Sequence, residues 1–309
     1  MIKNIHINTA KFTNLADKLQ KEGYNIIKPT EPHTHALIDY EKFITEKVYT
    51  PAQLLDPKKE FIILADDLKK INKSILLNSG IARVLLCGEE GILNFLSQNR
   101  KKKPLHDSDT GTFLIFDLNE PNKKILNSIL HTFGYKSIYC NDIKTFFTTL
   151  SEIEKNNIVF SFLNLSTPDL DLNEFIRQAY LNKDIKKIPL LAYRNQDENI
   201  CIEQISSGIN RITSYILKFD ELLSFMFEFI SRKKISQCVS KTCEISQFSE
   251  LHKYAKHTLP ENYFKFKDSL FEPMNAFSNE SLNNLNECTE QIKYFLSNME
   301  SFSWLRNRN

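Results

Sequence analysis

Asn164 ends a run of apolar residues, and its position bears directly on the chemistry open to this chain. The run "FSFL" precedes it, Pro168 follows four residues later, and Asp171 comes shortly after. Asp117 ends another apolar run, "TFLIF". A carboxylate at the end of a buried strand can bind a divalent cation or act as a nucleophile. The neutral amide of Asn164 is not a competent phosphoryl acceptor.

The segments around these residues alternate between strand-like and helix-like patterns. Strands are predicted over 112–117, 135–140, 158–163, 188–193 and 209–216, and helices over 122–134, 142–156, 172–182, 198–208 and 220–233. Gly134 is placed to end the first of these helices. Such strict alternation predicts a doubly wound α/β fold with a parallel five-stranded sheet. The functional site of such a sheet lies beyond the carboxyl ends of its strands.

Residues 111–234 resemble the receiver domain of bacterial two-component response regulators. The stretch "FLIFDLNEPNKKILNSILHTFGYKSI" is similar to the receiver's first strand, first helix and start of its second strand, and "KDIKKIPLLAY" to the approach to its fourth. The stretch "NLSTPDLDLNEF" is similar to the loop after the third strand. In receivers this loop carries an aspartate, a proline four residues later and then an aspartate–glycine step. Asn164 falls on the first aspartate, Pro168 on the proline and Asp171 on the second aspartate, and Leu172 replaces the glycine. The resemblance implies a flavodoxin-like receiver fold.

The resemblance also implies a phosphate site that has lost its reactive groups. Receivers carry an acidic pair for Mg²⁺ after strand one, an acceptor aspartate after strand three, Ser or Thr after strand four and Lys after strand five. In this chain those positions fall on Asp117 followed by Leu118, on Asn164, on Arg194 and near Ser214. We therefore expect a degenerate phosphoacceptor pocket, a pseudo-receiver that binds no Mg²⁺, other metal or cofactor and is not an enzyme.

Arg194 suggests one way to fill such a pocket. Its guanidinium could reach Asp117 and the carbonyl of Asn164, replacing both the metal ion and the lysine. The alternative is that Arg194 points into solvent from a loop.

A shifted frame would restore the chemistry. The stretch "FIILADD" ends in the acidic pair Asp66 and Asp67, and Pro121 follows Asp117 by four residues. A receiver beginning near Lys59 would make Asp117 the phosphoacceptor and the pair its metal site. That frame leaves the predicted strands 188–193 and 209–216 as surplus.

The first hundred residues show the same alternation more faintly. Strands are predicted over 2–7, 24–29, 34–40, 61–66 and 81–87, and a helix over 68–80; "EGYNII" makes the same helix-to-strand step as "GYKSI". We interpret this region as a second, more eroded receiver-like domain, although the segment between strands two and three is too short for a helix. Asp39 is an alternative phosphoacceptor here, or simply a helix cap or surface group, because the first strand ends at Asn8 rather than in an acidic pair.

The predicted domains are residues 1–105, 110–234 and an all-helical C-terminal segment, 235–309. Helices are expected over 245–257, 263–277 and 280–300, the last with an apolar stripe along one face. The final residues, "SFSWLRNRN", fit either a docking peptide or a frayed terminus.

Composition excludes several classes of protein. The chain has 309 residues, 41% of them hydrophobic and 25% charged, with a net charge of +2. No apolar run is long enough to span a membrane, so we expect a cytoplasmic protein without membrane contact. The six cysteines form no zinc-binding pattern. The short basic runs 99–103 and 231–234 are typical of solvated helix ends, which argues against nucleic acid as a partner.

Three functions remain open on these grounds. The first is a non-catalytic bacterial signalling protein whose receiver-like domains bind protein partners, including a second copy of the chain in a homodimer. The second is a phosphorelay regulator that accepts phosphate on Asp117 or Asp39. The third is a nucleic-acid-binding regulator that acts through its C-terminal helices. Fold alone does not choose among them.

Overall fold

A computed structural model describes residues 3–9, 14–86, 91–93, 95–96, 111–168, 170–182, 188–193, 222–230, 232–233, 294–295 and 297–305. The chain divides into two compact units. One is Met1–Leu222 together with Ser301–Asn309, and the other is Leu223–Glu300. The larger unit contains two parallel sheets, and the domain boundaries proposed from the sequence remain predictions.

The first sheet has five parallel strands in the order β2-β1-β3-β4-β5. The strands are β1 (Lys3–Asn8), β2 (Tyr24–Ile27), β3 (His35–Asp39), β4 (Glu60–Ala65) and β5 (Arg83–Leu86). This is the strand order of flavodoxin-like folds, whose sites form at the switch point between the first and third strands. The fold class expected for the first region is confirmed.

Short helices connect these strands. They are α1 (Leu15–Lys21), α2 (Tyr40–Glu46), α3 (Pro51–Leu55), a 3₁₀ turn (Leu68–Lys70) and α4 (Lys73–Asn78). The predicted helix from 68 to 80 is divided, because Asp67 caps the 3₁₀ turn and Asn72 caps α4. Residues 28–34 join β2 to β3 without a helix, as the length of that segment led us to expect.

The second sheet has four described strands, also all parallel, in the order β7-β6-β8-β9. They are β6 (Thr112–Phe116), β7 (Lys136–Cys140), β8 (Ile158–Asn164) and β9 (Leu190–Tyr193). The order repeats that of the first four strands of the first sheet, so the mixed α/β fold with two parallel sheets is confirmed. The predicted fifth strand, 209–216, lies outside the described residues.

The helices of the second sheet region are α5 (Glu120–Thr132), α6 (Ile143–Ser151), α7 (Ile153–Asn156) and α8 (Leu172–Leu181). Gly134 follows α5 with φ +80°, the left-handed conformation expected of a glycine that ends a helix. The helix predicted over 142–156 breaks at Glu152, which both ends α6 and precedes α7.

The shifted frame is wrong. It requires the strand before Asp66 and the strand before Asp117 to belong to one sheet. Instead β4 pairs with β3 and β5 in the first sheet, while β6 lies in the second. Asp66 and Asp67 therefore cannot serve as the metal-binding pair of a receiver built around Asp117.

Each sheet packs its own apolar core, as expected for strands covered on both faces. The first core cluster contains Ile5, Leu15, Leu19, Tyr24, Leu37, Ile62, Leu64, Leu85, Ile92, Phe95 and Leu96. The second includes Leu114, Phe116, Phe146, Phe147, Leu150, Leu163, Phe175 and Leu190. On the second sheet, Phe160 also stacks on Phe113, with ring centroids 5.5 Å apart.

The described residues of the smaller unit are helical. They comprise residues 223–230, 232–233, 294–295 and 297–300. The helical prediction for 280–300 agrees with the structure at these last positions, while the predicted helices 245–257 and 263–277 lie outside the described residues. Among the described residues no helix is long and apolar enough to cross a membrane.

A cluster of aromatic rings and imidazoles is buried in the first sheet region. The rings of His6, His33 and Tyr49 form a triangle with centroids 5.7 to 5.9 Å apart. The Phe61 ring packs edge-to-face on Tyr49, with centroids 4.9 Å apart. The Tyr49 hydroxyl and Nδ1 of His6 share a hydrogen bond. Burial, together with the neighbouring His33, lowers the pKa of His6 to about 4. His6 is therefore neutral in the folded protein at neutral pH.

This low pKa predicts acid sensitivity. An unfolded histidine has a pKa near 6.5. Between about pH 6.5 and pH 4, His6 is therefore protonated in the unfolded chain but neutral in the folded chain. The free energy of unfolding should fall over that range, by roughly 1–3 kcal/mol from this residue. Chemical denaturation between pH 7 and pH 4 should show a shallower pH dependence for His6→Phe. The exposed His131 is the matched control, and an equal effect of His131→Gln would contradict this assignment.

Candidate functional site

The candidate site lies at the carboxyl ends of three neighbouring strands of the second sheet. Asp117 follows β6, Asn164 ends β8 and Tyr193 ends β9. Asn164 and Tyr193 are paired in the parallel register, and β6 lies on the other side of β8. The three side chains meet because parallel strands bring their carboxyl ends to one edge of the sheet. All three are buried.

The Asp117 carboxylate accepts four hydrogen bonds from the protein. Its Oδ1 accepts from the backbone N–H of Asn119 at 2.8 Å and from Nδ2 of Asn164 at 2.9 Å. Its Oδ2 accepts from Nδ2 of Asn122 at 3.1 Å and from the hydroxyl of Tyr193. A carboxylate has about four lone-pair sites. The four donors therefore satisfy this buried anion, which is 0% exposed, without a metal ion.

Tyr193 holds its proton firmly in this position. Burial raises the pKa of its phenol well above the ordinary value, and the negative charge of Asp117 and the hydrogen bond to it act in the same direction. The hydroxyl is thus a permanent donor to the carboxylate.

Asn164 uses both ends of its amide. Nδ2 donates to Asp117, and Oδ1 accepts from the backbone N–H of Ser166 at 3.0 Å. The Asn164 carbonyl accepts from the backbone N–H of Thr167 at 3.2 Å, which tightens the turn after β8. An aspartate here could keep the turn but would set a second carboxylate against Asp117, with repulsion in place of a hydrogen bond.

The structure places the other predicted site residues as follows. Pro168 is exposed in the turn after β8, and Asp171 caps α8 by accepting from the backbone N–H of Glu174 at 3.0 Å. Both fit a structural role in the loop. Arg194 and Ser214 lie outside the described residues, so the proposed contact of Arg194 with Asp117 stays a hypothesis.

Sequence reasoning missed three of the donors to Asp117. The sequence pattern predicts that a strand ends at Tyr193, and the structure shows that the Tyr193 side chain turns into the pocket at that edge. The prediction for Arg194 is not tested by this contact. Asn119 and Asn122 flank the start of α5, where Asn119 is the N-cap and accepts from the backbone N–H of Asn122. The repeated asparagines around Pro121 were the available signal.

The corresponding edge of the first sheet is built differently. Asp39 ends β3, the strand position that Asn164 holds in the second sheet, and it caps α2 by accepting from the backbone N–H of Glu41 at 3.0 Å. Asn8 ends β1, where a receiver has its acidic pair, and its Oδ1 accepts from Lys42 Nζ at 3.2 Å. In the ranges that the structure describes, no group of three or more His, Cys, Asp or Glu side chains is arranged to hold a metal ion.

No family model matches the chain. A segment of 103 residues is 27% identical to the centromere/kinetochore protein zw10 homolog of Rattus norvegicus, and the match spans 32% of this chain and 13% of that protein.

Several solved structures are similar to the chain, among them the following three. Two are described as two-component system response regulator/GGDEF domain proteins, both 12% identical, with TM-scores of 0.31 and 0.32. They cover 68% and 74% of this chain and 90% and 99% of their own. The third, full-length ShkA in complex with AMPPNP, is 13% identical with a TM-score of 0.25, over 68% of this chain and 47% of that one. The fold assignment rests on the strand order itself.

The saturated carboxylate predicts a specific stability profile. Tyr193→Phe removes a hydrogen bond to a buried charge and should reduce the free energy of unfolding by about 1.5–3 kcal/mol. Tyr139→Phe is the matched control, because its hydroxyl donates to the neutral backbone carbonyl of Lys123 at 2.9 Å. That change should reduce it by about 1 kcal/mol. Urea denaturation of both variants measures the difference, and equal losses would contradict a charged acceptor at Asp117.

Proposed function

We propose that the second sheet region is a pseudo-receiver, a signalling module that binds protein partners without being phosphorylated at the usual position. The observation that carries this proposal is the Asp117 carboxylate, buried and satisfied by four protein donors. A carboxylate in that state has no lone pair directed at a metal ion.

Phosphoryl transfer to a receiver requires a nucleophilic carboxylate and a bound cation to offset the charge of the phosphoryl oxygens. Asn164 supplies an amide where the nucleophile would stand. Mg²⁺ would have to displace several of the four donors from a site with no access to solvent, and it gives up its own water ligands reluctantly. The arrangement thus supports a pocket fixed in one state.

A receiver-like fold that has lost its phosphoryl chemistry can still bind proteins through its outer surfaces. The resemblance suggests that partners dock near the fourth and fifth strands, the face that receivers use to bind proteins or to dimerise. The fixed state of the pocket would make such binding independent of phosphorylation. A protein partner, or a second copy of this chain, is the class of ligand we propose.

One observation favours a second candidate. Asp39 ends the third strand of the first sheet, as the acceptor aspartate of a receiver does, and the amino group of Lys42 lies at the same edge. A phosphorelay role through Asp39 would need a cation there without the acidic pair, because Asn8 occupies that position. We rank it below the pseudo-receiver for that reason.

Labelling with acetyl phosphate and Mg²⁺, followed by intact-protein mass spectrometry, distinguishes the two candidates. Under the pseudo-receiver proposal the native chain gains no phosphoryl group, and Asp117→Asn and Asp39→Asn behave identically to it. Label that disappears in Asp39→Asn would establish the second candidate. Label that disappears in Asp117→Asn would overturn the first.

Partner binding should be insensitive to phosphate donors. Proteins from the native cell that are retained by the immobilised chain, identified by mass spectrometry, should be the same with and without acetyl phosphate and Mg²⁺. Tyr193→Phe should retain fewer of them if the fixed pocket shapes the docking face. Retention that depends on acetyl phosphate would show a working switch and contradict the proposal.

A further inference from the structure

Arg83 lies at a junction between the two sheet regions. It opens β5 of the first sheet, it is 4% exposed, and it forms an ion pair with Glu60 of β4. Its Nη2 donates to Oγ1 of Thr132, the last residue of α5 in the second sheet region, at 2.5 Å. The Thr132 hydroxyl in turn donates to the carbonyl of Ser128 at 2.7 Å. A buried guanidinium thus joins the two regions through a hydrogen-bonded chain.

The end of the described chain packs onto this junction. The Arg83 guanidinium also donates from Nη1 to Oγ of Ser301 at 3.3 Å, and it lies over the ring of Phe302, 4.8 Å from the centroid. The indole N–H of Trp304 donates to the carbonyl of Ala82 at 2.8 Å, and Trp304 is 1% exposed. These contacts attach the segment Ser301–Leu305 to the first sheet region.

The same segment also contacts the second sheet region. The Phe302 ring lies 6.0 Å from the ring of Phe133, which follows α5. A second link between the regions stands elsewhere on α5, where Lys124 Nζ donates to the backbone carbonyl of Leu54 and lies over the Phe61 ring at 4.9 Å. Burial lowers the pKa of Lys124 to about 8.

We propose that Ser301–Leu305 is an internal ligand of the Arg83 junction, a C-terminal clamp that holds the two sheet regions together. Its serine satisfies a guanidinium donor, its phenylalanine covers the cation and touches both regions, and its tryptophan anchors it to the backbone beside β5. The surface that the clamp covers is a docking site for a segment of the type Ser-Phe-Ser-Trp. The proposal does not depend on the state of the Asp117 pocket.

Hydrogen–deuterium exchange of the full chain, followed by mass spectrometry, tests the clamp. Arg83→Met keeps an unbranched side chain and removes the charge. It should raise amide exchange at residues 301–305, 83–86 and 129–133 together, by about 10-fold or more, the factor that corresponds to the loss of one hydrogen bond to a charged group. Arg177→Met is the matched control. Arg177 is exposed, and its guanidinium pairs with Glu174 on the same helix, α8. This substitution should leave amide exchange unchanged in all three segments.

The outcomes separate a clamp from a passive tail. Faster exchange confined to residues 301–305, or no change, would overturn the proposal. Should Arg83→Met fail to fold, as circular dichroism would reveal, Trp304→Phe is the second test, because it keeps an aromatic ring but removes the indole N–H together with one ring of the buried side chain. It should raise exchange at 83–86 and 129–133, and unchanged exchange there would overturn the clamp. The chain has a single tryptophan, so a red shift of its fluorescence in Arg83→Met reports release of the segment directly.

Discussion

A carboxylate removed from water is stable only when other groups replace the hydrogen bonds that it has lost, and Asp117 is the place in this protein where that requirement is most severe. The side chain is 0% exposed. Two asparagine amides, a tyrosine hydroxyl and a backbone N–H meet the requirement, and these groups come from two strand ends and the start of α5. The same donors that stabilise the anion also draw the strand ends together. The side chains of Asp117, Asn164 and Tyr193 at this edge are consequently buried and bonded to one another.

A second buried charge organises the contact between the two sheet regions. Arg83 distributes its donors among an acid of its own sheet, a hydroxyl on α5 and a hydroxyl in the C-terminal clamp. Because an unpaired charge would be costly at such a site, the guanidinium favours the arrangement in which all of these groups are present. The protein thus uses buried charges in two ways: Asp117 draws strand ends of the second sheet together, and Arg83 connects the two sheet regions.

The fold could be predicted from the sequence to the extent that it depends on local pattern. Apolar runs such as 112–117 and 158–163 identified buried strands, and Gly134 marked the end of α5. Helix boundaries were less accurate where polar residues cap internal positions, as Asn72 and Glu152 show. The site depended on which strands are neighbours and on where their last side chains point. The role of Tyr193 could therefore not be predicted from its place at a strand end. The contacts of Arg83 with Thr132 and Ser301 could not be predicted either, because these residues are far apart in the sequence.

We propose that no cation binds at Asp117 because protein donors already satisfy its carboxylate. The most direct measurement is to add Mn²⁺ to the protein labelled with ¹⁵N and to follow the side-chain amide signals of Asn122 and Asn164 by NMR, since a paramagnetic ion broadens the signals of nuclei close to it. We predict that the two amide signals broaden no more than those of asparagines remote from the pocket. Selective broadening of both, relieved by added Mg²⁺, would contradict it.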